Sequence, residues 1–132
     1  VNRNCTKYDI KAFVKQMNIE GLENVELYID NKQKKEILAF LSDKKNKSKF
    51  RRILYEIGQN RYPSHLYRKE PYDLVAMKFA GGLNPRIYCK ELFTEKRKIV
   101  MIHLLAHKTQ KKAQEKSLGP KLKSISKFEY NL

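Results

Sequence analysis

The chain has 132 residues, 41% of them hydrophobic, with 29 Lys and Arg against 14 Asp and Glu for a net charge of +15. That length supports one core rather than two, and the apolar fraction excludes a disordered polyelectrolyte. A cationic excess of this size repels itself in the compact state and calls for a polyanionic partner, nucleic acid first and an anionic membrane surface second.

Residues 6–21 (TKYDIKAFVKQMNIEG) place Ile10, Phe13, Val14 and Met17 at helical spacing with Gly21 as a stop, which predicts a short amphipathic helix. The run ENVELYID at 23–30 alternates Val25, Leu27 and Ile29 against Glu26 and Tyr28, the pattern of a half-buried strand. Asp30 then reads as a helix N-cap, with Gln33 three residues on as in a capping box. The helix it opens is expected to bury Ile37, Leu38 and Leu41 and to display Lys32, Lys34, Lys35 and Glu36. After a polar break at 42–48, Phe50, Ile53, Leu54 and Ile57 mark a second helix that ends at Gly58. So short a connection folds two helices into an antiparallel hairpin.

The segment 59–71, punctuated by Pro63 and Pro71, reads as a loop. Beyond it the period becomes extended. Residues 72–80, 85–93 and 98–106 are three strand candidates separated by turns at 81–84 and 94–97, which predicts an antiparallel meander. Residues 109–116 are helix-forming, and Gly119-Pro120 predicts a stop; the basic tail beyond it has no assigned element. No internal repeat is visible. The order strand, helix, helix, three strands, helix predicts an α+β sandwich with helices packed on one sheet.

Lys78 interrupts an apolar strand, Arg86 opens the next, and Lys108, Lys111 and Lys112 follow the third. Neighbouring strands of a meander would bring these cations to one groove. Side chains alternate faces, so Lys78 and Arg86 share a face only if an odd number of residues separates the paired positions. A loop over 81–85 meets that condition and one over 80–85 does not, while Gly81 and Gly82 offer a place for a bulge. A lone strand lysine is more often a snorkelling edge residue than a catalyst. His103, between Ile102 and Leu104, reads as a core histidine, whereas His107, beside Lys108, is the better candidate for a phosphate contact. A second basic surface is expected where Lys44, Lys45, Lys47, Lys49, Arg51 and Arg52 crowd together, and Tyr62, Tyr67, Tyr72 and Tyr88 offer candidate stacking planes for unpaired bases.

Cys5 and Cys89 are far apart and lack metal-ligand spacing, so reduced structural thiols in a cytoplasmic protein are expected. Charges at Arg3, Lys7, Asp9, Lys11 and Lys15 argue against a secretory leader, and the longest apolar run, Ile99–Ala106, is too short to span a bilayer. No GxSxG, Walker or HExxH motif is present, nor a carboxylate pair spaced for metal binding. A chain of this kind that cleaves RNA would do so without metal. Lys or His would deprotonate the ribose 2′-hydroxyl and Arg would stabilise the phosphorane, with clustered cations lowering one another's pKa.

Residues 23–117 resemble the RelE/HigB superfamily of bacterial toxins, in its phage-related branch. The similarity rests on KFRRILYEIGQNRYPSHLYRKEPYDLVAMKF, on RIYCKEL, and most specifically on IVMIHLLAHKTQKKAQE, where Lys108, Thr109, Gln110 and Lys111 stand in order behind His103. The resemblance implies a RelE-like antiparallel sheet with a helical hairpin packed on it and a short C-terminal helix. Its parts would be a helical extension at 1–22, a toxin domain at 23–118 and a basic tail at 119–132. It implies metal-independent, ribosome-associated cleavage of mRNA to a 2′,3′-cyclic phosphate, with no cofactor, in contact with mRNA and ribosomal RNA and away from any membrane. An antitoxin protein would be the partner. By this resemblance Lys78 takes the place of the basic residue ending the family's Glu-Leu-Arg, Arg86 matches the strand arginine at the scissile phosphate, and Lys108 and Lys111 match the basic C-terminal motif, so these four are the expected catalytic residues. His107 stands where the family has a second basic residue, and the charge pattern adds His107, Lys112, Lys49, Arg51 and Arg52 as expected RNA contacts. The family's Glu-Leu-Arg is here Ala76-Met77-Lys78, so an acidic residue is absent and a bidentate guanidinium is replaced by a point charge. The alternatives are a gyrase-type, non-enzymatic inhibitor of the same fold and a nucleic-acid-binding module that has lost catalysis.

Overall fold

The computed structural model describes residues 1–17, 21–79 and 81–132, with Val14 and Met17 as backbone only. Its strands are β1 (Asn2–Arg3), β2 (Cys5–Tyr8), β3 (Val25–Asp30), β4 (Tyr67–Lys69), β5 (Leu74–Lys78), β6 (Arg86–Phe93), β7 (Arg97–Leu105) and β8 (Glu129–Tyr130). Its helices are α1 (Lys11–Met17), α2 (Lys34–Ser42), α3 (Lys44–Gly58) and α4 (Lys112–Ser126). Six strands form one mixed sheet in the order β2-β3-β7-β6-β5-β4, and β1 pairs with β8 in a separate parallel ribbon. The fold class is α+β.

The meander is present as β5, β6 and β7, and β4 extends it by a strand hidden in the expected loop at 59–71. The sheet is not antiparallel throughout, because β3 lies parallel to β7. Alternation along each strand then divides the apolar side chains between two cores. Val25, Leu27, Ile29, Met77, Ile87, Ile99 and Met101 face α1, α2 and α3. Leu74, Ala76, Tyr88, Val100 and Ile102 face α4, which contributes Leu122 and Ile125. Two covered faces explain why β5 and β7 read as continuous apolar runs rather than alternating ones.

The helical hairpin is tighter than expected. Asp43 alone connects α2 to α3, and its carboxylate accepts from the backbone N–H groups of Lys45 and Asn46, so the polar break is largely the first turns of α3. Phe50, Ile53, Leu54 and Ile57 are buried as expected, whereas Leu38 is 38% exposed. The N-terminal helix starts only at Lys11, burying Ile10 and Phe13, because residues 5–8 pair with β3 instead. The expectation for Val14 and Met17 lies outside the described side chains. Gly21 adopts φ +90° so close to the Gly58 carbonyl that a Cβ would overlap it, which no other residue type could do without displacing α3.

Gly119 and Pro120 do not stop α4. The helix runs through them, with Pro120 exposed, because continuing it buries Leu122 and Ile125 on the sheet. Helix propensity yields here to tertiary packing. Lys90 then reaches across from β6 to donate to the carbonyls of Ser126 (3.1 Å) and Phe128 (2.8 Å), satisfying the helix C-terminus.

Asp30 is no N-cap. It ends β3 fully buried, and Gln33 is the residue that precedes α2. Its carboxylate accepts two bonds from Arg3 (2.9 and 3.0 Å), one from the Tyr130 hydroxyl (2.7 Å) and one from the Lys32 N–H (2.9 Å). Both chain ends are thereby fastened to the central sheet. No helix among the described residues is long and apolar enough to cross a membrane.

Burial alone would raise the Asp30 pKa, but the bonds from Arg3, Tyr130 and Lys32 outweigh it and hold the carboxyl below its ordinary value. A depressed folded-state pKa stabilises above the unfolded value, about 3.9, and that stabilisation is lost as pH falls through the folded value. Asp30→Ala is expected to lower unfolding free energy at pH 7 by about 3–5 kcal/mol. Urea melts of the variant below pH 4 should also lack this part of the wild-type acid sensitivity.

Candidate functional site

Three strands end together at one corner of the sheet. Lys78, the last residue of β5, is the cross-strand partner of Arg86, the first residue of β6. Both lie on the face that carries Leu74, Ala76 and Tyr88, the α4 face. Arg68, opposite Ala76 on β4, shares that face. Like charges placed directly opposite repel, so this corner is held against its own electrostatics. Glu70 relieves part of the strain by accepting from Arg86 Nη1 at 3.2 Å.

Glu70 is delivered by an unusual turn. Tyr72 and Asp73 follow it with φ of 64° and 59°, both left-handed and neither glycine. The Glu70 N–H donates to the Leu74 carbonyl at 2.8 Å, closing the turn onto β5. Arg86 is only 8% exposed, and its Nε is buried with no hydrogen-bond partner. Lys78 is half-buried, donating from Nζ to the Ser64 carbonyl at 3.2 Å. Burial and then the neighbouring Arg86 and Arg68 push the Lys78 pKa down, with Glu70 opposing them. The corner thus sets a lysine of lowered pKa beside a buried guanidinium.

The second arm comes from beyond β7. Leu105 is the partner of Arg86, and the Lys108 N–H donates to the Leu83 carbonyl at 2.9 Å in the β5–β6 loop, so the segment after β7 returns to the same end of the sheet. Gln114, in the first turns of α4, holds it there: its Oε1 accepts from the Thr109 N–H (2.7 Å) and its Nε2 donates to the His107 carbonyl (2.7 Å). His107 is exposed, Lys111 precedes α4, and Lys112 begins it. The positive end of the α4 macrodipole adds to their charge. Lys108 is partly buried and donates from Nζ to the Thr109 carbonyl at 2.8 Å.

Other candidates lie elsewhere. Lys49, Arg51 and Arg52 belong to α3, on the opposite face of the sheet, and Arg51 spreads over the Phe13 ring at 5.9 Å. Tyr67 and Tyr88 are buried and Tyr62, half-buried, stacks on Tyr67 at 5.5 Å, so of the four tyrosines Tyr72, 48% exposed, is the most open to solvent. Cys5 and Cys89 are free thiols three strands apart. Among the described residues, no three His, Cys, Asp or Glu side chains are grouped to hold a metal ion.

His103 departs from expectation. It is half-buried rather than a core residue, and a bulge is the reason. Tyr88 pairs with His103 but Cys89 pairs with Met101, leaving Ile102 as the extra residue of β7. Simple alternation from Ile99 and Met101 would aim His103 into the main core; the bulge turns it to the α4 face. It does not fall at Gly81 or Gly82, where the sequence made one cheap.

Comparison with known proteins finds no family model, no curated protein and no solved structure that matches this chain. The site therefore rests on its own geometry. Sequence reasoning missed Glu70, Arg68 and Gln114; a lone acid inside the basic stretch YRKEP was the available signal for the first, and nothing in the spacing announced the others.

A carbon-13 titration of the Lys78 Cε resonance should place its midpoint below the ordinary lysine value. Arg68→Ala, which removes an exposed neighbouring cation, is expected to raise that midpoint, and an unchanged value would show that charge coupling at this corner is absent.

Proposed function

We propose that this corner binds the phosphate backbone of RNA and that the protein is a metal-independent endoribonuclease of the toxin type, acting on mRNA at the ribosome. The observation that carries the reading is the cross-strand pair of Lys78 and Arg86 on one face, the lysine displaced toward neutrality. The net charge of +15 supports it, since docking on a phosphate polymer relieves the self-repulsion of the fold.

In this reading neutral Lys78 takes the proton of the ribose 2′-hydroxyl, and the 2′-oxygen attacks phosphorus as the bond to the 5′-oxygen breaks. Lys108 gives the leaving oxygen a proton. The products are a 2′,3′-cyclic phosphate and a 5′-hydroxyl end. Arg86 lies too deep for an open clamp, so its part is electrostatic: it disfavours the ammonium form of Lys78 and sets positive potential beneath the phosphate. His107, Lys111 and Lys112 guide the strand in, and Lys49, Arg51 and Arg52 form a separate basic face for ribosomal RNA. An antitoxin partner covering the corner belongs to the same reading.

One observation favours a second reading. The Arg86–Glu70 pair engages the guanidinium that a catalyst would aim at substrate, as in a binding module without catalysis. The gyrase-type alternative gains no comparable support.

Induced expression in a bacterial host, with primer extension on an abundant mRNA, separates the readings. The wild type should arrest growth and cut within codons, and Lys78→Arg, which keeps the charge but cannot act as base, should reduce cutting by about 10²–10⁴-fold. With purified protein and single-stranded RNA, the wild-type rate should rise with pH as Lys78 loses its proton. Soluble, folded wild type that binds RNA without cutting it establishes the binding module instead.

A further inference from the structure

Between β7 and α4 lies a depression of about 280 Å³, lined by His103, Leu105, Gln114, Ser117, Leu118 and Lys121. It takes no part in the chemistry assigned to Lys78 and Arg86, yet it adjoins them. Leu105 is the partner of Arg86 and His103 the partner of Tyr88, so the depression opens one strand over, about 4.8 Å away in the pairing direction. It sits on the same face of the sheet.

Its lining suits a planar heterocycle. Leu105 and Leu118 supply apolar walls, while His103 and Lys121 supply polar groups at the rim. The volume lies just below the range of drug-sized pockets, which leaves room for one ring system and its substituents. Gln114 is committed to the 107–109 loop and Ser117 Oγ donates to the Gln114 carbonyl, so neither is free to specify a ligand. His103 is free to do so. Among the described residues neither of its ring nitrogens has a hydrogen-bond partner. Burial, then Lys121, lowers its pKa, which favours the neutral ring with one donor and one acceptor.

The local backbone makes the same point. The bulge at Ile102 disrupts an otherwise regular ladder in a central strand, and its consequence is to remove His103 from the main core and aim it under α4. In the main core both nitrogens would be buried among apolar side chains, and the rotation brings the ring to the rim of the depression instead.

We propose that this depression is a nucleobase subsite, seating the base of the nucleotide whose phosphate meets Lys78 above Arg86, with His103 reading the base edge and Leu105 and Leu118 packing on its faces. The proposal rests on the reading of the corner as an RNA site and adds to it a source of sequence preference. Such reading of unpaired base edges is the usual route to specificity on single-stranded RNA.

The test follows the His103 imidazole Cε1–H proton by NMR while the full chain is titrated with each of the four ribonucleoside 5′-monophosphates, with ribose 5-phosphate and with inorganic phosphate. At least one nucleotide should shift the resonance while the two base-free phosphates leave it in place, and the affinity for that nucleotide should fall about tenfold in His103→Ala or in the surface variant Lys121→Ala. In RNA cleavage, His103→Ala should redistribute the cut sites. Equal shifts with inorganic phosphate, or none with any nucleotide, overturn the subsite, as does an unchanged cut pattern in an actively cleaving His103→Ala. Nucleotide-specific shifts in a protein that cuts no RNA uphold the subsite and remove the ribonuclease reading instead.

Discussion

The placement of α4 depends on one buried carboxylate. Asp30 closes β3 in the middle of the sheet and accepts from Arg3 near one end of the chain and Tyr130 near the other. Arg3 in turn lies over the Phe128 ring at 4.1 Å. The segment that follows α4 is thereby fixed in position, and Lys90 secures the last carbonyls of the helix from β6. Two tethers that run through Asp30 and a third from Lys90 explain how a helix containing Gly119 and Pro120 continues across the sheet. They also explain why Leu122 and Ile125, rather than solvent, cover Leu74, Ala76 and Tyr88. Where α4 begins is equally determined. Its first turns must stand beside the end of β7, and Gln114 holds the basic loop 107–109 at the corner of Lys78 and Arg86.

Sheet registration does for the strands what Asp30 does for the termini. The β5–β6 pairing sets Lys78 opposite Arg86, an arrangement that lowers stability and that alternation alone would not require of a small domain. Glu70 is the counter-ion that makes it tolerable, and it is supplied by a turn with two consecutive left-handed non-glycine residues. Repulsive cations and a deeply placed arginine therefore occupy one end of three adjacent strands, while the strained turn that supplies Glu70 stands at the other end of β5 and reaches Arg86 through its side chain. Each lowers stability.

Much of the architecture was legible in the sequence because it follows from local periodicity. The 3.6-residue spacing of Phe50, Ile53, Leu54 and Ile57 located α3, and the apolar runs around Ile87 and Val100 located the meander. What escaped was decided by distant partners. Residues 5–8 are a strand because β3 offers them an edge, and β4 is three residues long because only β5 supports it. Asp30 read as a helix cap because its side chain does accept from the nearby Lys32 N–H, but the Arg3 and Tyr130 that make it a buried anchor instead lie 27 and 100 residues away. At the corner, the sequence identified Lys78, Arg86 and Lys108 but not whether two of them share a face. Register settles that question, and register is a property of the pair. The tyrosines show the converse limit: composition cannot distinguish Tyr72, at the surface, from Tyr67, in the core.

The two ends of the β6–β7 hairpin show what distinguishes the corner from ordinary ion pairing. At one end Arg97 donates to Glu91 (2.7 Å), to the Ile57 carbonyl that ends α3 (3.0 Å) and to the Tyr62 hydroxyl (2.9 Å). Tyr62 itself donates to Glu91, and burial together with that bond pushes its pKa up to about 12. That arginine is a structural tie, its fork filled by a carboxylate, a carbonyl and a phenol. At the other end Arg86 is as little exposed, bonding to Glu70 at 3.2 Å and to the Tyr88 side chain, yet among the described residues its buried Nε has no partner. The Lys78 opposite it has its pKa lowered by burial and by Arg86. The same residue type, in the same hairpin and at the same depth, is saturated in one place and left short of acceptors in the other. The acceptors that fill the Arg97 fork have Glu70 and the Tyr88 hydroxyl as their counterparts at Arg86, and neither reaches the buried Nε.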